Sequence, residues 1–140
     1  MKLGQKLESS CAYIDLTRIP LVVQTVKNIN PSIVQVQAHL DLFNLMLRNT
    51  SGPLYIISDM KVMKWANLKA TIYLGKGMFQ LDKTHSGRIQ LHCFMSAGPL
   101  LRLLIPLFTI FAKLEGKQVC RNTMDEAVDW ISLETGLPFY

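Results

Sequence analysis

Leu54-Tyr55-Ile56-Ile57-Ser58-Asp59 is the stretch on which the fold turns. It is a short continuous apolar run, entered from Ser51-Gly52-Pro53 and left through a polar Ser-Asp pair. That length is too short for a core helix and fits a central strand buried on both faces. Such a strand needs cover on each side, and the neighbouring sequence supplies candidates. Upstream, Ile33, Val36, Leu40, Phe43 and Leu47 recur at helical spacing, with Val34 and Met46 widening the stripe and His39, Asp41 and Asn44 off its centre. Asn30-Pro31 reads as the start of this helix, with Asn as the cap and Pro at the first helical position. Residues 49–53 stop it with polar residues, Gly and Pro. Downstream, residues 65–79 predict a second helix whose end is weakened by Gly75 and Gly77. A polar loop over 82–87 and a strand over 89–95 follow.

Further out, residues 11–17 and 21–26 are strand-like and joined by Arg18-Ile19-Pro20. So short a link allows only antiparallel pairing. Ser96-Ala97-Gly98-Pro99 opens a third helix over 100–114, with Pro106 expected to kink it. Residues 117–120 form a last short strand. Thr123-Met124-Asp125-Glu126 is a capping box leading into a final helix that buries Ala127, Val128, Trp130, Ile131 and Leu133. Strands alternating with helices imply βαβ units with right-handed crossovers. The expected architecture is α/β: a mixed, mostly parallel sheet of four to five strands with about four helices. It forms one domain over 1–140, with 1–10 as a flexible N-terminal extension.

Composition narrows the function classes. Hydrophobic residues at 49% and charged residues at 18% are a globular balance, which excludes a disordered tail protein. Cys11, Cys93 and Cys120 form no CxxC pair and no zinc-ligand ladder, and read as small hydrophobes in a reducing compartment. The opening ten residues lack the apolar core of a secretory signal, so a cytoplasmic location is expected. Residues 100–112 are the most apolar stretch, but Arg102 and Pro106 interrupt it. It is short of the ~20 residues of a membrane span, and no transmembrane segment is expected. The net charge of +5 is scattered apart from Lys61, Lys64 and Lys69, which does not suggest a nucleic-acid partner. No metal site, cofactor or catalytic motif is visible; Gly75-Lys76-Gly77 lacks the spacing of a phosphate loop.

The order of elements resembles the SpoIIAA-like fold shared by STAS domains and a broader bacterial branch. The likeness runs from Ala12 onward. It is strongest where a strand over 89–95, a Gly-Pro opening, an Arg-bearing apolar helix, a brief strand and the capped Asp125-Glu126-Ala127-Val128-Asp129-Trp130-Ile131 helix follow one another. Residues 54–60 resemble the family's strand that ends in Asp and a hydrophobic residue. The resemblance implies a regulatory or protein-interaction module with no chemistry of its own. The family's anti-sigma-factor antagonists carry a phosphorylatable Ser or Thr after that strand. Here the corresponding stretch is Lys64-Trp65-Ala66-Asn67-Leu68, and Thr71 lies a turn too late, so no phosphorylation site is expected. The broader family has been compared with CRAL-TRIO lipid-transfer domains, which keeps an apolar ligand in view by analogy.

Two constellations are candidates for function. Asp59 stands at the carboxyl end of the central strand, where open α/β sheets bind ligands, and Lys61, Lys64 and Trp65 lie near it. The plainer role for Asp59 is to accept hydrogen bonds in the following turn. The helix over 100–111 is apolar nearly all round, which a surface helix of an isolated domain should not be. Leu103, Leu107, Phe108, Ile110 and Phe111 are therefore candidates for a homodimer or partner interface, with Met78, Phe79 or the Phe139-Tyr140 tail beside them. The expected function is a non-catalytic, homodimeric interaction module of the STAS-like type. The alternatives are a small carrier of lipid or another apolar ligand, and an enzyme with a site near Asp59, Lys61 and His85. His92, between Leu91 and Cys93 on a strand, reads as a satisfied half-buried imidazole.

Overall fold

A computed structural model describes residues 5–27, 30–62, 68–99, 102, 103, 105 and 117–139. Six strands, β1 (Lys6–Glu8), β2 (Ala12–Arg18), β3 (Leu21–Val26), β4 (Leu54–Asp59), β5 (Ile89–Met95) and β6 (Lys117–Arg121), lie in one sheet in sequence order. β1, β2 and β3 pair antiparallel as a meander, and β3 to β6 are parallel. The sheet is thus larger than the four to five strands expected. The added strand is β1, in the stretch read as an extension. Its three residues alternate exposed and half-buried, and so short an edge strand leaves almost no hydrophobic pattern in the sequence.

Three helices are described in full: α1 (Ile33–Arg48), α2 (Leu68–Thr84) and α3 (Met124–Thr135). Residues 99, 102, 103 and 105 are helical as well, in the place of the expected third helix. α1 begins two residues later than the Asn30-Pro31 reading. Ser32 is its cap, accepting from the Gln35 N–H at 3.2 Å, while the Ser32 N–H donates to the Gln35 side chain at 2.9 Å. The Thr123 cap of α3 accepts from the Glu126 N–H at 3.2 Å. Among the described residues the return arm from Glu126 is not formed. Gly136, at φ 71°, ends α3 in the left-handed conformation that favours glycine.

The parallel strands are covered on both sides, as the apolar run of β4 requires. Val23, Ile57 and Cys93, in register on adjacent strands, point to the face on which α3 packs Ala127, Val128 and Ile131. Val22 and Ile56 point to the other face, under Phe43, Met46 and Leu47 of α1. Phe139 is buried with the α3 cluster, edge-on to Tyr55 at 6.1 Å, and its carbonyl accepts from Arg18. It therefore serves its own core, and is not available to a partner as the tail reading supposed. Arg88 fastens the end of α1 by donating to the carbonyls of Leu47 and Gly52 and to the Thr50 hydroxyl.

α2 runs five residues past the expected end, through both glycines and into the stretch read as a loop. Gly77 is in the helix because of its neighbour. A Cβ there would sit 2.3 Å from Leu40 Cδ1 and 3.2 Å from Leu40 Cγ. The missing side chain lets α2 approach α1, and that contact outweighs the roughly 1 kcal/mol of lost helix propensity. Gly77→Ala is expected to destabilise the protein by about 1–2 kcal/mol in urea denaturation, the overpacking cost exceeding the propensity gain. In a Leu40→Ala background the same change should turn stabilising. Stabilisation by Gly77→Ala in the unaltered protein would refute the close-approach account.

Candidate functional site

Polar side chains interrupt the apolar face beneath α1 and α2. Gln24 of β3, Ser58 of β4 and His92 of β5 are 6%, 5% and 8% exposed. Gln24 and Ser58 are register partners, and His92 lies two residues back, level with Ile56. His39 of α1, also buried, comes down onto them. Ser9, in the link between β1 and β2, completes a continuous line. The spacings are 2.9 Å from Ser9 Oγ to His39 Nδ1, 2.8 Å from His39 Nε2 to Gln24 Oε1, 3.2 Å from Gln24 Nε2 to Ser58 Oγ, and 2.7 Å from Ser58 Oγ to His92 Nε2.

The backbone sets the direction of this line. Ser9 Oγ accepts from the N–H groups of Cys11 and Ala12, both at 3.2 Å, so its own proton is free to donate. His39 Nδ1 at 2.9 Å is a closer acceptor than the Ala12 carbonyl at 3.3 Å. The His39 proton then sits on Nε2 and is given to the Gln24 carbonyl oxygen. Gln24 donates its amide N–H to Ser58, and Ser58 donates its hydroxyl to His92 Nε2. The His92 proton is left on Nδ1, which has no protein acceptor among the described residues. Burial holds both imidazoles neutral, pushing the pKa of His39 down to about 4 and that of His92 to about 3.

A cavity of about 120 Å³ adjoins the line. Its walls are mainly apolar, with Val36, Met60, Leu74, Met78, Phe79 and Phe94 among them. His92 stacks on Phe94, with ring centres 4.0 Å apart. The Ser58–His92 contact has the spacing of a nucleophile and its base. However, a ring held near pKa 3 is a poor acceptor for the proton of a reacting hydroxyl, and among the described residues no carboxylate backs Nδ1. Among the described residues there is no group of three or more His, Cys, Asp or Glu placed to hold a metal ion, and no helix long and apolar enough to cross a membrane.

The residues singled out from the sequence lie elsewhere. Asp59 ends β4, and its Oδ1 accepts from the Lys61 N–H at 3.0 Å, the turn-forming role. Lys61 is exposed beside it. Lys64 and Trp65 lie outside the described residues. His85 follows α2 and binds Asn44 Oδ1 at 2.8 Å. It precedes β5, whose first residue pairs with Leu54, whereas Asp59 pairs with Met95 at the far end. Asp59, Lys61 and His85 therefore stand at opposite ends of the sheet and form no common site. Of the interface candidates, Leu103 is 66% exposed, while Leu107, Phe108, Ile110 and Phe111 lie outside the described residues. Phe79 lines the cavity, and Met78 does so while packing on the α1 core. Cys93 is a buried free thiol, its pKa pushed up to about 11 by desolvation.

The sequence reading missed Gln24, Ser58, His39 and His92 as a group. The signal was present: Gln24, Ser58 and His92 each stand among core-forming residues on one of three consecutive strands. His39 also lies three residues after Val36 and four before Phe43, which is the spacing of the buried face. No protein-family model matches the chain, and no curated protein matches it.

The depressed imidazole pKa values fix a pH response. An unfolded histidine titrates near 6.5, so above that pH neither state gains protons and stability is full. Below it the unfolded chain is protonated first. Each buried ring then removes up to about 1.4 kcal/mol per pH unit until its folded pKa is reached. Urea denaturation between pH 7.5 and 5 should show this loss, with a shallower slope in His92→Phe. An unchanged slope in that variant would contradict the buried neutral state.

Proposed function

We propose that the chain is a non-catalytic binding module for a small, largely apolar molecule held between the sheet and the α1–α2 pair. The observation that carries this reading is the cavity with its buried line of hydrogen bonds ending at His92. Ligand sites are concave and mostly apolar, with a few placed polar groups that fix orientation. A volume of about 120 Å³ is close to that of engineered cavities that take up benzene, ~150 Å³, and suits a single ring better than a long acyl chain. The resemblance to SpoIIAA-like domains is compatible with this reading: it implies a cytoplasmic module that acts by binding.

Chemical-shift mapping with compact neutral ring compounds tests it. Shifts should cluster at Gln24, Val36, His39, Ser58 and His92. Val36→Phe, which puts a ring into the cavity, should abolish them while leaving the circular dichroism spectrum unchanged. Absence of any shift across the series, or shifts confined to the surface of α3, would overturn the reading. A second reading, contact with another copy or a partner through residues 100–111, is favoured by the exposure of Leu103. It would be supported if light scattering gave a dimer that Leu103→Glu converts to a monomer.

A further inference from the structure

We infer that the cavity selects an uncharged, ring-sized molecule carrying a hydrogen-bond acceptor, such as a ketone or ether oxygen, which takes the proton of His92 Nδ1. The inference rests on the binding reading above and adds the chemistry of the ligand. His92 is more than nine-tenths buried and lines the cavity, and among the described residues only one of its ring nitrogens is engaged. The order of donors from Ser9 onward makes that engaged nitrogen the acceptor. The other is then an N–H with no described protein group to receive it. Among the described residues Ser132 Oγ is the buried side-chain polar atom without a partner, and His92 Nδ1 is not, which fits an N–H that is reached from the cavity its ring lines. A ligand that covers this donor without accepting from it leaves it unsatisfied, whereas a ligand oxygen does not.

Charge on the ligand is disfavoured from both directions. Among the described lining residues the ionisable groups other than histidine and cysteine are Asp82 and Lys117. Asp82 Oδ1 already accepts from the Ile89 N–H at 2.8 Å, and a ligand anion would share the cavity with that carboxylate. Lys117 is turned to Glu134, with Nζ 2.8 Å from Oε2. A ligand cation would meet the positive end of the His92 N–H dipole. Neither imidazole carries charge, so a ligand anion would go unpaired, and the Asp82 carboxylate that could face a ligand cation already accepts from Ile89 and lies within electrostatic reach of Arg88. A neutral acceptor on an apolar body meets each wall with its match.

Cyclohexanone, methylcyclohexane and cyclohexylammonium share one shape and differ in polarity and charge, and they are the probes of choice for titration of the full chain. Cyclohexanone should bind and shift the His92 Nδ1 resonance. Methylcyclohexane should bind without moving that resonance, and cyclohexylammonium should not bind. In His92→Phe the affinity ratio of cyclohexanone to methylcyclohexane should fall about 3- to 10-fold, the worth of one hydrogen bond. If both neutral probes bind but the ratio and the His92 resonance do not respond, the donor assignment fails and the binding reading survives. If neither binds, the cavity holds water alone and both fail. The Nδ1 resonance is read in the unaltered protein, so the test stands even where the variant does not fold.

Discussion

Three adjacent parallel strands, each buried on both faces, carry one buried polar side chain apiece on the same side of the sheet, and none of the three has ready access to water. That constraint organises this half of the molecule. Gln24 donates to Ser58 and Ser58 to His92, while the Gln24 carbonyl oxygen is met by His39, brought down from α1 and itself answered by Ser9 of the β1–β2 link. The line therefore joins the meander, the first crossover helix and the parallel strands. Its direction is decided at the edge, where two backbone N–H groups occupy the lone pairs of Ser9. In a low-dielectric interior such a chain is worth most when complete, and a break anywhere leaves a buried group unsatisfied.

The same constraint explains why a cavity with one polar end persists in an otherwise close-packed core. Apolar side chains fill space around their neighbours, whereas hydrogen-bonded polar ones are held at fixed distances and angles and cannot collapse into a gap. Phe94 stacks on His92 and is kept from sliding inward, while Gly77 lets α2 come close to Leu40. The result is a mainly apolar space with a polar end. Neutral imidazoles can donate and accept hydrogen bonds there without placing a charge in the interior.

Much of the scaffold was legible from residue pattern alone. β3 and β5 fall where the β-branched and apolar runs place them, and β4 is the doubly buried strand that its Leu-Tyr-Ile-Ile run required. The misreadings have physical causes. β1 is too short to carry a periodic signal. Ser32 outcompeted Asn30 as a cap because it has Gln35 three residues on to answer it. Gly77 looks like a helix breaker in isolation and is a packing device once Leu40 is opposite. The candidate site was the least legible part. Asp59 drew attention as a charged residue at a strand end, yet its carboxylate is consumed by the next turn. The residues that line up inside are His, Gln and Ser, each inconspicuous alone, and only the register of the strands brings them together.

The direction of the buried line is written in the protonation of His39 and His92. Long-range proton–nitrogen correlation at pH 6.5 reads both tautomers directly in the unaltered protein. The expected result is two neutral rings, with the proton on Nε2 in His39 and on Nδ1 in His92. An imidazolium at either position, or the opposite pair of tautomers, would contradict it, because the line of donors would then be charged or run the other way.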